Sequence, residues 1–230
     1  MNKIVLNNIC KYYIDKKQKS AIAALFNVNL EIEMQKTSVV LGPSGCGKTT
    51  LLKSIAGLID LDEGFISMDG KNAIEQRLLR NNMSYVSQGG RLYPHMTVFD
   101  NIAFPLKNQN IPIEELKIRV IDLAKILKID YLLTRKPKQL SGGQQQKVSI
   151  ARALVKLPQI LLLDEPFANL DSENRAQLKS LLIELKSSLS LTIIMVTHQI
   201  EDSYGLADVV VYMDNGEIVS LERRANYDAK

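Results

Sequence analysis

The chain has 230 residues, 46% of them hydrophobic and 23% charged, with a formal net charge of +4. This is ordinary globular material, enough for one domain or one domain with an inserted subdomain, and it excludes an intrinsically disordered chain. Two cysteines make no disulfide framework, no apolar run reaches the ~18 residues a membrane span needs, and no signal-peptide core opens the chain, so reduced thiols and a soluble cytosolic chain are expected.

The basic clusters Lys16-Lys17-Lys19 and Arg223-Arg224 read as solvated loop and tail charge rather than a nucleic-acid patch. No nucleic acid is expected as a partner, and any membrane role has to come through another protein.

In chain order, Lys3 to Ile9 mixes β-branched and polar residues like an edge strand, and Val28 to Ile32 alternates in the same way. Between them, Lys11-Tyr12-Tyr13 leads into a lysine-rich loop. A tyrosine here either stacks on an adenine ring or merely covers the sheet, and spacing alone does not decide. Ser38 to Leu41 then reads as a short buried strand. Gly42-Pro43-Ser44-Gly45-Cys46-Gly47-Lys48-Thr49 follows it with the spacing G-x-x-x-x-G-K-[ST] of a phosphate-binding P-loop, or Walker A motif. Its glycines let backbone N–H groups curl around a phosphate chain. Lys48 is placed to reach the β- and γ-phosphates, and Thr49 to ligate Mg²⁺ at the start of a helix predicted over Thr50 to Leu58.

Phe65 to Met68 is a predicted strand running into a tight turn at Asp69-Gly70, Ala73 to Leu79 a short helix, and Met83 to Val86 a strand ending at Ser87-Gln88. Gln88 thus lies at a strand's carboxyl end, where ligands gather in open α/β sheets. From 89 to 110 turn formers dominate, with an apolar and aromatic segment Leu92-Tyr93-Pro94-His95-Met96 of no clear period. Apolar residues at 116, 120, 123, 124 and 127 then give Glu114 to Lys128 the pattern of an amphipathic helix. This helical stretch interrupts the alternation of strands and helices, and 89–156 is read as an inserted helical subdomain between core segments 1–88 and 157–230.

In Leu140-Ser141-Gly142-Gly143-Gln144, Ser141 is a natural N-cap, and the glycines leave amides open to an anion ahead of a helix over Lys147 to Lys156. Ile160 to Leu163 is an apolar strand ending in Asp164-Glu165. Asp164 would hold Mg²⁺ and Glu165 would polarise an attacking water. A helix is predicted from Ser172 to about Ser187, a buried strand from Thr192 to Val196 ending in Thr197-His198, and a closing hairpin around Asp214-Asn215-Gly216.

With these residues in hand, the sequence resembles the nucleotide-binding subunits of ATP-binding cassette (ABC) transporters over essentially its whole length. Leu140 to Gln144 matches that family's LSGGQ signature without a change. The resemblance implies an α/β fold, with a P-loop NTPase core on a mostly parallel sheet, an N-terminal antiparallel β subdomain and an inserted α-helical subdomain. It implies ATP and Mg²⁺ as cofactors, with Lys48, Gln88, Glu165 and His198 as the catalytic set, and Thr49, Gln88 and Asp164 around the metal. Nucleotide contacts fall on Tyr13, with Tyr12 as second choice, on Gly42, Pro43, Ser44, Gly45, Cys46, Gly47, Lys48, Thr49 and Thr50, and on Ser141, Gly142, Gly143, Gln144 and Asp171.

The family's cassettes associate head to tail, so the resemblance implies a second cassette whose Ser141 and Gly143 face the first one's P-loop. It also implies transmembrane permease subunits contacted around 88–104, and a peripheral place on the cytoplasmic face of the membrane. Leu92 to Val98 with Asn101-Ile102-Ala103-Phe104 resembles importers of sugars and small solutes. Many of those continue into a regulatory domain, so either a shorter branch or a missing C-terminal part is implied. A non-transport ABC ATPase of the translation or DNA-repair type is the rival, opposed by a single cassette, no heptad stretch and no strongly basic face.

Overall fold

The computed structural model describes residues 3–15, 20–68, 71–72, 82–107, 109 and 111–224. The predicted helix at 73–79, the turn at 69–70 and the lysine run at 16–19 lie outside the described residues.

Strands β1 (Lys3–Asp15), β2 (Ser20–Glu33), β4 (Glu63–Met68) and β5 (Lys71–Asn72) form an antiparallel sheet in the order β2-β1-β4-β5. A second sheet contains β3 (Thr37–Leu41), β6 (Met83–Val86), β7 (Ile160–Asp164), β8 (Thr192–Thr197), β9 (Val209–Asp214) and β10 (Glu217–Arg223). Its order is β10-β9-β3-β8-β7-β6, parallel except for β10. The helices are α1 (Lys48–Ile55), α2 (Val98–Ala103), α3 (Ile113–Ile126), α4 (Gly142–Leu154) and α5 (Ser172–Leu189).

Strands β3, β7 and β8 are buried at every position because both faces of the parallel sheet are covered. Their alternate residues divide accordingly. Val39, Leu41, Leu161, Leu163, Ile193 and Met195 join a cluster with α2 to α5, so the helices of the 89–156 segment share a core with the sheet. Val40, Leu162, Ile194 and Val196 face the other way, where Leu51 and Leu52 of α1 meet Ile4, Leu6 and Ile66 of the antiparallel sheet. Helix α1 is therefore packed in the layer between the two sheets, with the phosphate loop at its head.

Two elements depart from the sequence reading in ways that the backbone explains. The strand from Lys3 is interior, lying between β2 and β4, and it runs on to Asp15. Its period-two signal is hidden by a register shift between Leu6 and Ile9, beside Asn8 at φ 47°. The P-loop helix ends at Ile55 instead of Leu58, because Gly57 turns left-handed at φ 63° and leaves Leu58 exposed. The closing hairpin is as read, with Asn215 and Gly216 at φ 45° and 84° supplying the two positive φ values of a type I′ turn.

One buried side chain ties the aperiodic 92–104 segment together from within. Asn101, fully buried, accepts from the Tyr93 N–H (2.7 Å) and donates to the carbonyls of Tyr93 (3.1 Å) and Thr97 (2.9 Å). Replacing it with alanine strands these groups, so Asn101→Ala should lower unfolding free energy by about 2–3 kcal/mol. Urea unfolding checks this, as a lower midpoint at unchanged slope.

Candidate functional site

The phosphate loop runs so close to its neighbours that side chains have no room at two positions. A Cβ on Gly42 would sit 2.1 Å from the Met213 carbonyl oxygen of β9, and one on Gly47 2.2 Å from the Ala24 carbonyl oxygen of β2. The tip of the β9-β10 hairpin adds hydrogen bonds. Gly216 N–H donates to the Cys46 carbonyl (3.0 Å), and its own carbonyl accepts from Phe26 N–H (2.9 Å). Gly45 differs, with open space around it and a φ of 85° as its reason.

Inside this loop Lys48 is 6% exposed and donates from Nζ to the carbonyls of Gly42 (2.8 Å) and Pro43 (2.7 Å). Gly42 and Pro43 therefore hold the lysine from behind, and the buried Cys46 side chain stands 3.9 Å from Nζ. Helix α1 begins at Lys48 with no side-chain cap and no acid in its first turn, leaving its leading amides to an anion. Ahead of it opens a cleft of about 440 Å³. Ser44, Gly45, Gly47, Lys48, Thr49 and Thr50 line it. Gln88, Glu165 and His198 also line the cleft, as does Tyr13 rather than Tyr12.

Asp164, 3% exposed at the end of β7, joins this site through Thr49. Its Oδ1 accepts from the Thr49 hydroxyl (2.9 Å) and its Oδ2 from the Tyr85 hydroxyl (2.8 Å). Burial, and then the bond to Asp164, push the Tyr85 phenol well above the ordinary tyrosine range. The sequence reading passed over Tyr85, which looks like filler in a short strand. Only the adjacency of β6 to β7, with Tyr85 opposite Leu162, brings it to the acid. Among the described residues no group of three or more His, Cys, Asp or Glu is placed to hold a metal. The donors present, a hydroxyl and a buried carboxylate, fit Mg²⁺, which takes one or two protein oxygens and fills its shell with water and phosphate.

Glu165 follows with a left-handed backbone, φ 48°, a conformation costing about 1–3 kcal/mol in a non-glycine residue. The turn sets its carboxylate 3.0 Å, at both oxygens, from Nδ1 of His198, which follows β8. The carboxylate is mostly buried and the imidazole half exposed.

The signature lies apart, since Ser141 to Gln144 and Asp171 are not among the residues lining the cleft. Ser141 caps α4 as read, accepting from Gln144 N–H (3.3 Å), while the Gln144 side chain accepts from Ser141 N–H (3.0 Å). The first bond inside the helix comes from Gln145 N–H, so the amides of Gly142 and Gly143 precede the ladder. Gly142 is unobstructed, whereas a Cβ on Gly143 would lie 2.6 Å from Oδ1 of Asn174. Asp171 caps α5 and holds Asn174 by its backbone N–H (2.8 Å) and its amide (2.7 Å). Those bonds, the backbone one first, keep the Asp171 carboxyl below the usual range.

Comparison with known proteins agrees with this geometry. The family model described as "ABC transporter" matches residues 25–168. The glucose import ATP-binding protein GlcV of Saccharolobus solfataricus is 41% identical over 96% of this chain and 63% of its own length. The molybdate/tungstate import ATP-binding protein WtpC of Pyrococcus abyssi is 42% identical over 86% of this chain and 57% of its own. The chain thus spans about three-fifths of the length of these relatives. A solved dimeric structure of the ATP-binding cassette MJ0796, in a post-hydrolysis state bound to ADP and Pi, superposes with a TM-score of 0.86 at 33% identity, covering 96% of this chain and 99% of that one. Carrying an unaltered LSGGQ signature and a phosphate loop on the same two-sheet scaffold, the chain belongs to the ABC transporter family.

Proposed function

We propose that the chain is the ATP-binding and ATP-hydrolysing subunit of an ABC importer. The observation that carries this is the meeting of Lys48, Thr49, Gln88, Glu165 and His198 in one cleft, with Thr49 bonded to the buried Asp164. The α1 amides and Lys48 grip the phosphates, and Tyr13 offers its face to the adenine. Thr49 and Asp164, with Gln88, would hold Mg²⁺, which would supply positive charge to offset that of the phosphates. Glu165 takes the proton of the attacking water, and His198 sets the direction of that carboxylate.

This cleft is half of the working site in the same reading. A second cassette, docked head to tail, brings Ser141, Gly142, Gly143, Gln144 and Asp171 toward the nucleotide. The amides of Gly142 and Gly143 at the positive end of α4 suit a γ-phosphate. The 89–156 segment acts as a helical subdomain whose 88–104 edge receives permease subunits, which would place the chain on the cytoplasmic face of the membrane. A second opening of about 440 Å³ supports that placement, because Tyr93, Phe104, Pro105 and Arg152 line it. There the Tyr93 and Phe104 rings lie 4.6 Å apart, and the Arg152 guanidinium sits 5.4 Å above Tyr93. No helix of the described residues is long and apolar enough to cross a membrane itself. The cargo is set elsewhere in the transporter, since relatives named for glucose and for molybdate or tungstate match almost equally well.

Glu165→Gln should keep ATP binding, trap a pair of chains on size exclusion with ATP, and lower phosphate release by at least ~100-fold. Undiminished turnover would remove Glu165 as base. Lys48→Ala should lose nucleotide binding or hydrolysis while staying folded, measured by titration with a fluorescent ATP analogue and by phosphate release. Tyr85→Phe leaves Asp164 with one of its two hydroxyl donors. It should raise the Mg²⁺ concentration for half-maximal turnover about 10-fold, as read from a Mg²⁺ titration at saturating ATP.

A further inference from the structure

His198 and Glu165 are one end of a longer chain of contacts. Arg175 of α5 donates from Nη1 to Gln199 Oε1 and to Asp202 Oδ1 (3.2 Å). Asp202 is 2% exposed, and its other oxygen accepts from the Thr197 hydroxyl (2.6 Å). A buried acid thus anchors Arg175 to the end of β8. Gln199 in turn places its amide nitrogen 3.4 Å from Nε2 of His198, on the side of the ring opposite Glu165.

The donor and acceptor roles along this chain follow from the arginine. A guanidinium only donates, so the Gln199 atom facing it is the carbonyl oxygen, and the amide nitrogen faces the imidazole. An amide N–H also only donates, so Nε2 of His198 has to accept. The ring's proton is left on Nδ1, directed at the Glu165 carboxylate. We infer that Arg175 and Gln199 are positioning residues that fix His198 as its Nδ1–H tautomer and so hold Glu165 in place. Glu165 alone favours that tautomer too, but it grips one edge of a half-exposed ring, and Gln199 grips the other. The inference deepens the proposed ATPase reading, in which the orientation of the Glu165–His198 pair matters for hydrolysis.

Nitrogen-15 NMR of the nucleotide-free chain, at a pH where imidazole is neutral, reads the tautomer directly. The chain has two histidines, and a His95→Gln variant identifies which signals are those of His198. The wild type should show a single Nδ1–H species. Gln199→Leu should introduce the Nε2–H species, and Arg175→Lys, which keeps a donor for Gln199 and a charge for Asp202, should retain the wild-type pattern. Nε2–H in the wild type, or an unchanged Nδ1–H species in Gln199→Leu, overturns the inference. ATP turnover of Gln199→Leu should fall roughly 3- to 10-fold in kcat, with KM within about twofold; an unchanged kcat overturns the positioning role. Since the tautomer is read without nucleotide, the expected spectrum in a wild-type chain that hydrolyses no ATP would count against the proposed function alone.

Discussion

The rest of the molecule depends on the close passage of the phosphate loop between two sheets. Amides grip a phosphate chain only if the loop is held in one curl before the ligand arrives, and a glycine-rich loop has the most conformational freedom to lose. Here the cost is offset by contact with backbone. Met213 of β9, Ala24 of β2 and the hairpin tip at Gly216 press on the loop from both sheets, and Lys48 ties its own carbonyls together from within. The antiparallel sheet, which carries no acid or base of the cleft, is thereby part of the site.

The chemistry follows from where parallel strands end. β3, β7 and β8 lie side by side, so the residues just past their carboxyl ends, the phosphate loop, Asp164-Glu165 and His198, converge although more than a hundred positions separate the first from the others. Glu165 departs from the extended path with a left-handed backbone, and that departure separates the surroundings of two adjacent acids. Asp164 stays in the strand, buried between two hydroxyls, while Glu165 turns out to His198.

Much of this was legible in the sequence because it is written in local patterns. The G-x-x-x-x-G-K-T loop, the apolar strand ending in two acids and the Ser141 cap each signal their structure over a few residues, and the helical spacing from 116 to 127 marks five buried positions. What escaped depends on partners distant in sequence. The bulge at Asn8 hid the inward face of β1, Tyr85 gained its meaning only from the neighbouring strand, and Asn101, quoted only as part of a resemblance, showed its structural duty once four backbone partners closed around it. Gly42 and Gly47 let the loop curl with no side chain in the way, as the sequence suggests, and Gly47 takes a φ of 104°; what only the structure adds is that the space is filled by the backbone of Met213 and Ala24.

The first turn of α5 carries two neighbours with different duties. Asn174 packs against Gly143 of the signature, and Arg175 reaches Gln199 beside His198. Consecutive residues of a helix move as one rigid body, since its hydrogen-bonded turn has no soft joint between them. In the proposed head-to-tail pair, the signature of one chain serves the partner's nucleotide while its histidine serves its own. That single turn would then act as a rocker between two ATP molecules, and a shift of a few tenths of an ångström imposed at one would be felt at the other.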